Sequence, residues 1–189
     1  KPLNLRDRLN QLNGKILQSC DGRAVLGRGG LHAILMIVGY GTGEAELAEN
    51  TPVAGEAGVL LGKITAAMNL TAEELYITNL YKSPAPTTRE EALAFLTEEI
   101  QIVRPKCIVT LGAEALQAMV GETGPIEEER GVWHAYKGTP LMPTFHPTHL
   151  IRNPAITEKR KLWEDMLQVL ELLAKPISAR QRGFFTQRA

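Results

Sequence analysis

One stretch limits what this chain can fold into more than any other. The apolar run Ile34-Leu35-Met36-Ile37-Val38 ends in the glycine-rich turn Gly39-Tyr40-Gly41-Thr42-Gly43. Five apolar residues without polar alternation have no solvent face. They suit a strand covered on both sides, as in parallel sheets flanked by helices. Three glycines in five positions let the backbone turn sharply and approach a ligand closely. Ligands of open α/β sheets bind beyond the carboxyl ends of the strands, so this turn is the first candidate site. It is not a nucleotide cradle of a familiar kind, because neither G-x-x-x-x-G-K-[ST] nor G-x-G-x-x-G is met.

The rest of the chain supplies the layers such a strand needs. Leu5, Leu9, Leu12, Ile16 and Leu17 recur near helical spacing and predict a helix over 3–20. Residues 22–30 hold four glycines and read as a loop. Leu60, Leu61, Ile64 and Met68 predict a helix over 58–68, and Thr71-Ala72-Glu73-Glu74 has the capping-box pattern. A second strand, 75–80, contains polar Asn79 near its end. Pro84 and Pro86 keep 83–87 irregular, and a helix follows over 88–103. Cys107 to Gly112 reads as a third buried strand and 113–120 as a helix. After an acidic loop over 121–131, two extended segments (131–136 and 139–145) deliver His146, and Thr157 is expected to cap a final helix ending near Leu173. The expected fold is α/β, a three-layer α/β/α sandwich with a mostly parallel central sheet of about four strands. It forms one domain over 1–174.

Charge and cysteine content exclude several classes. The chain has 21 basic and 21 acidic residues. A basic tail, 175–189, holds Lys175, Arg180, Arg182 and Arg188 and no acid; subtracting those four leaves 17 basic against 21 acidic elsewhere. Bulk charge therefore gives no nucleic-acid signal, and the tail is expected to be solvated and mobile. The longest apolar run is far too short to span a bilayer. Two cysteines, Cys20 and Cys107, make no disulfide framework. The expectation is a cytoplasmic monomer without membrane contact.

Gly39 to Gly43, Asn79 and His146 are each weak signals alone, but their order and spacing are specific. The chain resembles the uracil-DNA glycosylase superfamily, and within it the iron–sulfur class called family four. The first motif of that class, G-E-A-P-G-x-x-E-D-x-x-G-x-P-F-V-G-x-A-G, falls without a gap on residues 39–58 and is matched at Gly39, Gly43, Glu46, Pro52, Gly55, Ala57 and Gly58. Ile77-Thr78-Asn79 precedes Lys82-Ser83-Pro84 where the class has I-T-N before K-C-x-P. A third motif is matched from Val103 through Pro105 to Gly112, and Arg130-Gly131 follows. The last, P-T-x-H-P-x-x-L-x-R-x-P, is matched at Pro143, Thr144, His146, Pro147, Leu150, Arg152 and Pro154.

The resemblance implies an enzyme that flips a deaminated base out of DNA and hydrolyses its N-glycosidic bond. It places Gly39, Gly41, Gly43, Val53 and Asn79 at the base, with Asn79 offering both a donor and an acceptor to a uracil-like edge. His146 would stabilise the departing base, Leu150 would fill the gap in the duplex, and Lys82 and Arg152 would contact phosphates. The partner is DNA carrying a damaged base.

Departures from the class leave water activation and base stacking open. Its motif glutamate is Tyr40 here, and the next position, Asp or Asn in other branches, is Gly41. Glu44, Glu46 and Tyr40 are the remaining candidates to handle water. The stacking phenylalanine is Val53, with Tyr40 or Phe145 as possible substitutes. Ser83 replaces a cluster cysteine, and no cysteine stands near Ala92. No iron–sulfur cluster, metal or other cofactor is expected. The alternative is a catalytically degenerate relative that binds damaged or single-stranded DNA without excision.

Overall fold

The computed structural model describes residues 2–186, so Arg188 lies outside the described residues. The predicted buried strand is β2 (Leu35–Gly39), with all five residues buried. Its side chains alternate between two cores, as the period-two geometry of a strand requires. Leu35 and Ile37 belong to one core, with Val109, Leu111, Met142 and Phe145. Met36 and Val38 belong to the other, with Tyr76, Ile108 and Leu141.

Among the described residues the sheet has six strands rather than about four, in the order β1-β3-β2-β4-β6-β5. The four parallel ones are those expected: β3 (Leu75–Asn79), β2, β4 (Cys107–Leu111) and β6 (Thr139–Thr144). The additional strands are short antiparallel edges, β1 (Arg28–Gly29) and β5 (His134–Tyr136). At two residues β1 is too short to show a hydrophobic period, whereas β5 falls within the extended segment expected over 131–136.

Helices cover both faces. One face carries α3 (Gly55–Ala67), α7 (Pro147–Arg152) and α8 (Ile156–Leu172), contributing Leu61, Leu150, Leu162 and Trp163. The other carries α4 (Arg89–Val103) and α5 (Ala113–Val120), contributing Leu96 and Leu116. Against α4 packs α1 (Leu5–Ser19), through Leu12 and Ile16 onto Ile102.

Several local expectations need correction. The glycine-rich segment contains a short helix, α2 (Glu44–Glu49), and the acidic loop another, α6 (Ile126–Glu129). The Thr71 capping box is present but closes a single 3-10 turn, Ala72–Glu74. The residue preceding α8 is Ala155, so Thr157 lies inside that helix and does not cap it. The tail is docked over its described part. It forms α9 (Ala179–Arg182), whose buried Gln181 donates to Ala67 O (2.9 Å) and accepts from Trp163 Nε1 at its carbonyl (2.6 Å). Lys175 pairs with Glu74, and Arg160 Nε donates to Phe185 O (2.8 Å).

Candidate active site

Parallel register places the carboxyl ends of four strands side by side: Gly39 is opposite Asn79, Val38 opposite Thr110, and Leu111 opposite Thr144. The loops leaving these ends are tied together. Leu80 N donates to Gly39 O (2.8 Å), Tyr81 N to Tyr40 O (2.9 Å), and Thr42 Oγ1 to Tyr81 O (2.9 Å). The glycine turn and the Asn79 segment are thus one rigid floor.

Asn79 is buried, and its Nδ2 donates to Pro52 O. Thr42 Oγ1 lies 3.5 Å from the same nitrogen, at the limit of a hydrogen bond. No donor among the described residues bonds to Asn79 Oδ1. That oxygen sits over Gly39, where a Cβ would meet it at 2.2 Å. Gly39 therefore has no side chain because the Asn79 amide occupies the space. Beside them Val53 is buried, and its Cγ2 would lie 3.9 Å from a Cβ at Gly39.

Behind Asn79 is an internal ion pair. Lys82 and Glu99 are both buried and paired with one another. Lys82 Nζ also donates to Asn79 O and Thr78 Oγ1 (2.8 Å), while Tyr76 Oη donates to Glu99 (2.9 Å). Burial, then the adjacent carboxylate, pushes the Tyr76 hydroxyl far above its ordinary value, so it stays a donor. Lys82 consequently presents no charge to solvent, which corrects its expected phosphate contact.

His146 is held by its position as the residue before α7. Pro147 opens that helix, and His146 Nδ1 accepts from Thr148 N (3.2 Å), with Thr148 Oγ1 at 2.9 Å. Burial depresses the His146 pKa; Glu46 and Glu114 oppose this shift and Arg152 adds to it. A neutral imidazole whose Nδ1 accepts must carry its proton on Nε2. The strand end beneath it is anchored by Thr144 Oγ1 donating to Asp165 (2.7 Å), which Arg130 contacts through Nε (3.1 Å) and Nη2 (2.5 Å). Burial raises the Asp165 pKa against the lowering effect of Arg130 and Thr144. At Gly131, φ is +77°, and a Cβ would meet Asp165 Oδ1 at 2.7 Å.

The remaining predicted residues divide clearly. Glu46 lies on α2, its Oε2 accepting from Gly43 N (3.1 Å), and its charge reaches His146. Tyr40 is 42% exposed and edge-on to Tyr81, with centroids 5.2 Å apart. Gly41 and Gly43 are exposed on the same turn. Arg152 is exposed and makes no ion pair among the described residues. Leu150 is packed into the core at 5% exposure, which corrects its expected place as a projecting wedge. The exposed apolar side chain of α7 is its neighbour Ile151. Phe145 is fully buried and stacked on His149 (4.0 Å), so it is no substitute for a base-stacking ring. Glu114, Thr148 and Thr42 were not singled out from sequence. Glu114 lies in the first turn of α5, two residues after Gly112, and that glycine beyond β4 was the available signal.

The residues present do not fit an iron–sulfur cluster, which needs four thiolates. Ser83 stands at the cluster-cysteine position, Cys20 is buried, and burial pushes Cys107, inside β4, up to about 12. No group of three or more His, Cys, Asp or Glu side chains among the described residues could hold a metal ion.

Comparison with known proteins places these features in a family context. The profile described as Uracil DNA glycosylase superfamily matches residues 26–167. The chain is similar to the type-4 uracil-DNA glycosylase of Thermotoga maritima, at 35% identity over 80% of this chain and 83% of that protein. It is similar also to the type-4 enzymes of Saccharolobus solfataricus (34%, covering 82% and 79%) and Sulfurisphaera tokodaii (34%, covering 81% and 76%).

Proposed function

Because the chain belongs to the uracil-DNA glycosylase superfamily, we propose that it releases uracil from DNA by hydrolysing the bond between the base and its deoxyribose. The observation that carries this reading is the placement of an acceptor, Asn79 Oδ1, and a fixed donor, His146 Nε2, beyond the carboxyl ends of β3 and β6, the two outer strands of the parallel set.

The chemistry follows from the two side chains. Uracil presents an N3–H between two carbonyls. Asn79 Oδ1 accepts that N–H, and the Nδ2 hydrogen facing Thr42 exchanges its 3.5 Å contact for the base O4. Cytosine has a lone pair at N3, which would face the Oδ1 lone pair and be rejected. As the C1′–N1 bond breaks, its electron pair passes to the base, and charge builds on O2. His146 Nε2–H donates to that oxygen without a proton transfer, the kind of preorganised donor that stabilises developing charge. The sugar becomes an oxocarbenium ion. The Glu46 carboxylate stabilises it electrostatically and receives the proton of the water that captures C1′. Tyr40 lines the mouth of the site. Arg152 contacts a phosphate, and Ile151 takes the place expected of Leu150 against the opened base step.

A second reading, a relative that binds damaged DNA without excision, is favoured by buried Val53 where an aromatic face would stack. One panel separates the two. Single- and double-stranded oligonucleotides carrying uracil, hypoxanthine, xanthine or cytosine are incubated with the protein and treated with alkali. Strand breaks at uracil and none at cytosine support excision. Binding to uracil-containing DNA without breaks supports the second reading, and neither binding nor breaks removes both.

A further inference from the structure

The amino-terminal end of the sheet, away from Asn79 and His146, carries a concentration of unpaired positive charge. Two adjoining clefts share Arg8 and Arg104. The larger, about 500 Å³, adds Lys137, Gln101 and the hydroxyl pair Thr97–Tyr136, whose oxygens are 2.8 Å apart. The smaller, about 380 Å³, adds His32 and Lys106. No carboxylate lines either cleft. Among the described residues no acid pairs with Arg8, Arg104, Lys106 or Lys137. In a chain with equal numbers of acids and bases, that segregation is not explained by composition.

The backbone fixes where two of these cations stand. Arg104 and Lys137 both have left-handed backbone, with φ +53° and +46°. Glycine or asparagine is the ordinary choice at such positions. Arg104 follows the last turn of α4, where a cation also suits the helix dipole. Lys137 is the first of the two residues that turn the chain between β5 and β6, and such a turn takes positive φ at both. The two positions converge on one cleft and both bear cations.

We propose that this end of the molecule is a second anion site, built to take a phosphate-bearing ligand. The guanidinium groups of Arg8 and Arg104 suit bidentate contact with phosphate oxygens, and Lys137 supplies a point charge held over the Tyr136 ring at 5.8 Å. The ligand is a free polyphosphate or nucleotide, or the phosphodiester backbone of a strand. Parallel strands of five residues separate the cleft from the active site, about 16 Å at 3.3 Å per residue. One flipped nucleotide cannot reach both, so the site does not depend on the glycosylase reading.

Calorimetric titration of the full chain with tripolyphosphate, and with a short uracil-free single strand, tests this. The informative variant is Arg104→Asn with Lys137→Asn, because asparagine tolerates left-handed backbone and the fold is retained. Arg8→Gln, on a helix surface, is an independent second variant. Saturable binding is expected in the parent and weakens by about tenfold or more in either variant, with uracil release unchanged. Binding of tripolyphosphate assigns a free ligand, and binding of the strand alone assigns a backbone. Absence of saturable binding of both probes, or equal binding by the parent and both variants, overturns the proposal.

Discussion

Replacing Lys82 by Met would disturb stability and activity in different ways, and the structure says how. Glu99 has no solvent exposure and Lys82 only 3%. Removing the cation leaves a buried carboxylate with two hydroxyl donors, Tyr76 at 2.9 Å and Thr78 at 3.3 Å, both already present in the parent. Neither is a new compensation. Breaking a buried pair from one side costs about 3–5 kcal/mol. For a chain of this length each kcal/mol lowers Tm by about 2–4 °C, so Tm should fall by roughly 6–20 °C. Adding Glu99→Gln removes the stranded charge, and most of the loss should be recovered, since neutral replacements of buried pairs are often tolerated. Activity should not recover with it. Methionine cannot donate to Asn79 O or Thr78 Oγ1, which Lys82 Nζ does in the parent. The double variant should fold well yet release uracil about tenfold or more slowly, consistent with roughly an ångström of misplacement. Thermal melts and single-turnover base release measure both. A single variant as stable as the parent, or a double variant with parental activity, would refute the reasoning.

Three further outcomes follow from the same geometry. Gly39→Ala puts a Cβ 2.2 Å from Asn79 Oδ1, so uracil release should fall about 10²-fold while circular dichroism stays parental. Gly131→Ala strains a φ of +77° and meets Asp165 Oδ1 at 2.7 Å, and urea melts should show a loss of about 1–3 kcal/mol. The lowered His146 pKa puts the acid limb of the rate profile below the ordinary imidazole value of about 6.5, and a limb centred above 7 would contradict it. Because the unfolded chain takes that proton first, the His146 contribution to stability is complete above about 6.5 and is lost as pH falls through the folded value; His146→Gln should flatten this slope in pH-dependent melts.

Much of the frame was legible because burial on two faces leaves an unbroken apolar run, as in β2 and β4. Asn79 and His146 were found by residue type and order. What escaped depends on partners distant in sequence. A lysine after a strand reads as surface, and only Glu99, on another element, makes Lys82 an interior residue. Leu150 and Ile151 are both apolar, so composition cannot say which faces the core; the rotation of α7 decides. The tail reads as solvated because its basic residues dominate, whereas one buried glutamine, Gln181, fastens it to α3 and α8. In the glycine-rich segment the signal for α2 was present, since Glu46 stands three residues after Gly43 and closes its amide.

The central claim is that His146 Nε2 donates to the departing base while Asn79 reads its edge. Single-turnover release of uracil from a defined oligonucleotide, compared among the parent, His146→Ala and Asn79→Ala, tests it most directly. The account predicts measurable release by the parent and a fall of about 10²–10³-fold for His146→Ala. It predicts that Asn79→Ala also slows release and loses discrimination between uracil and cytosine. Release by His146→Ala at the parental rate, with all three proteins folded, would contradict it.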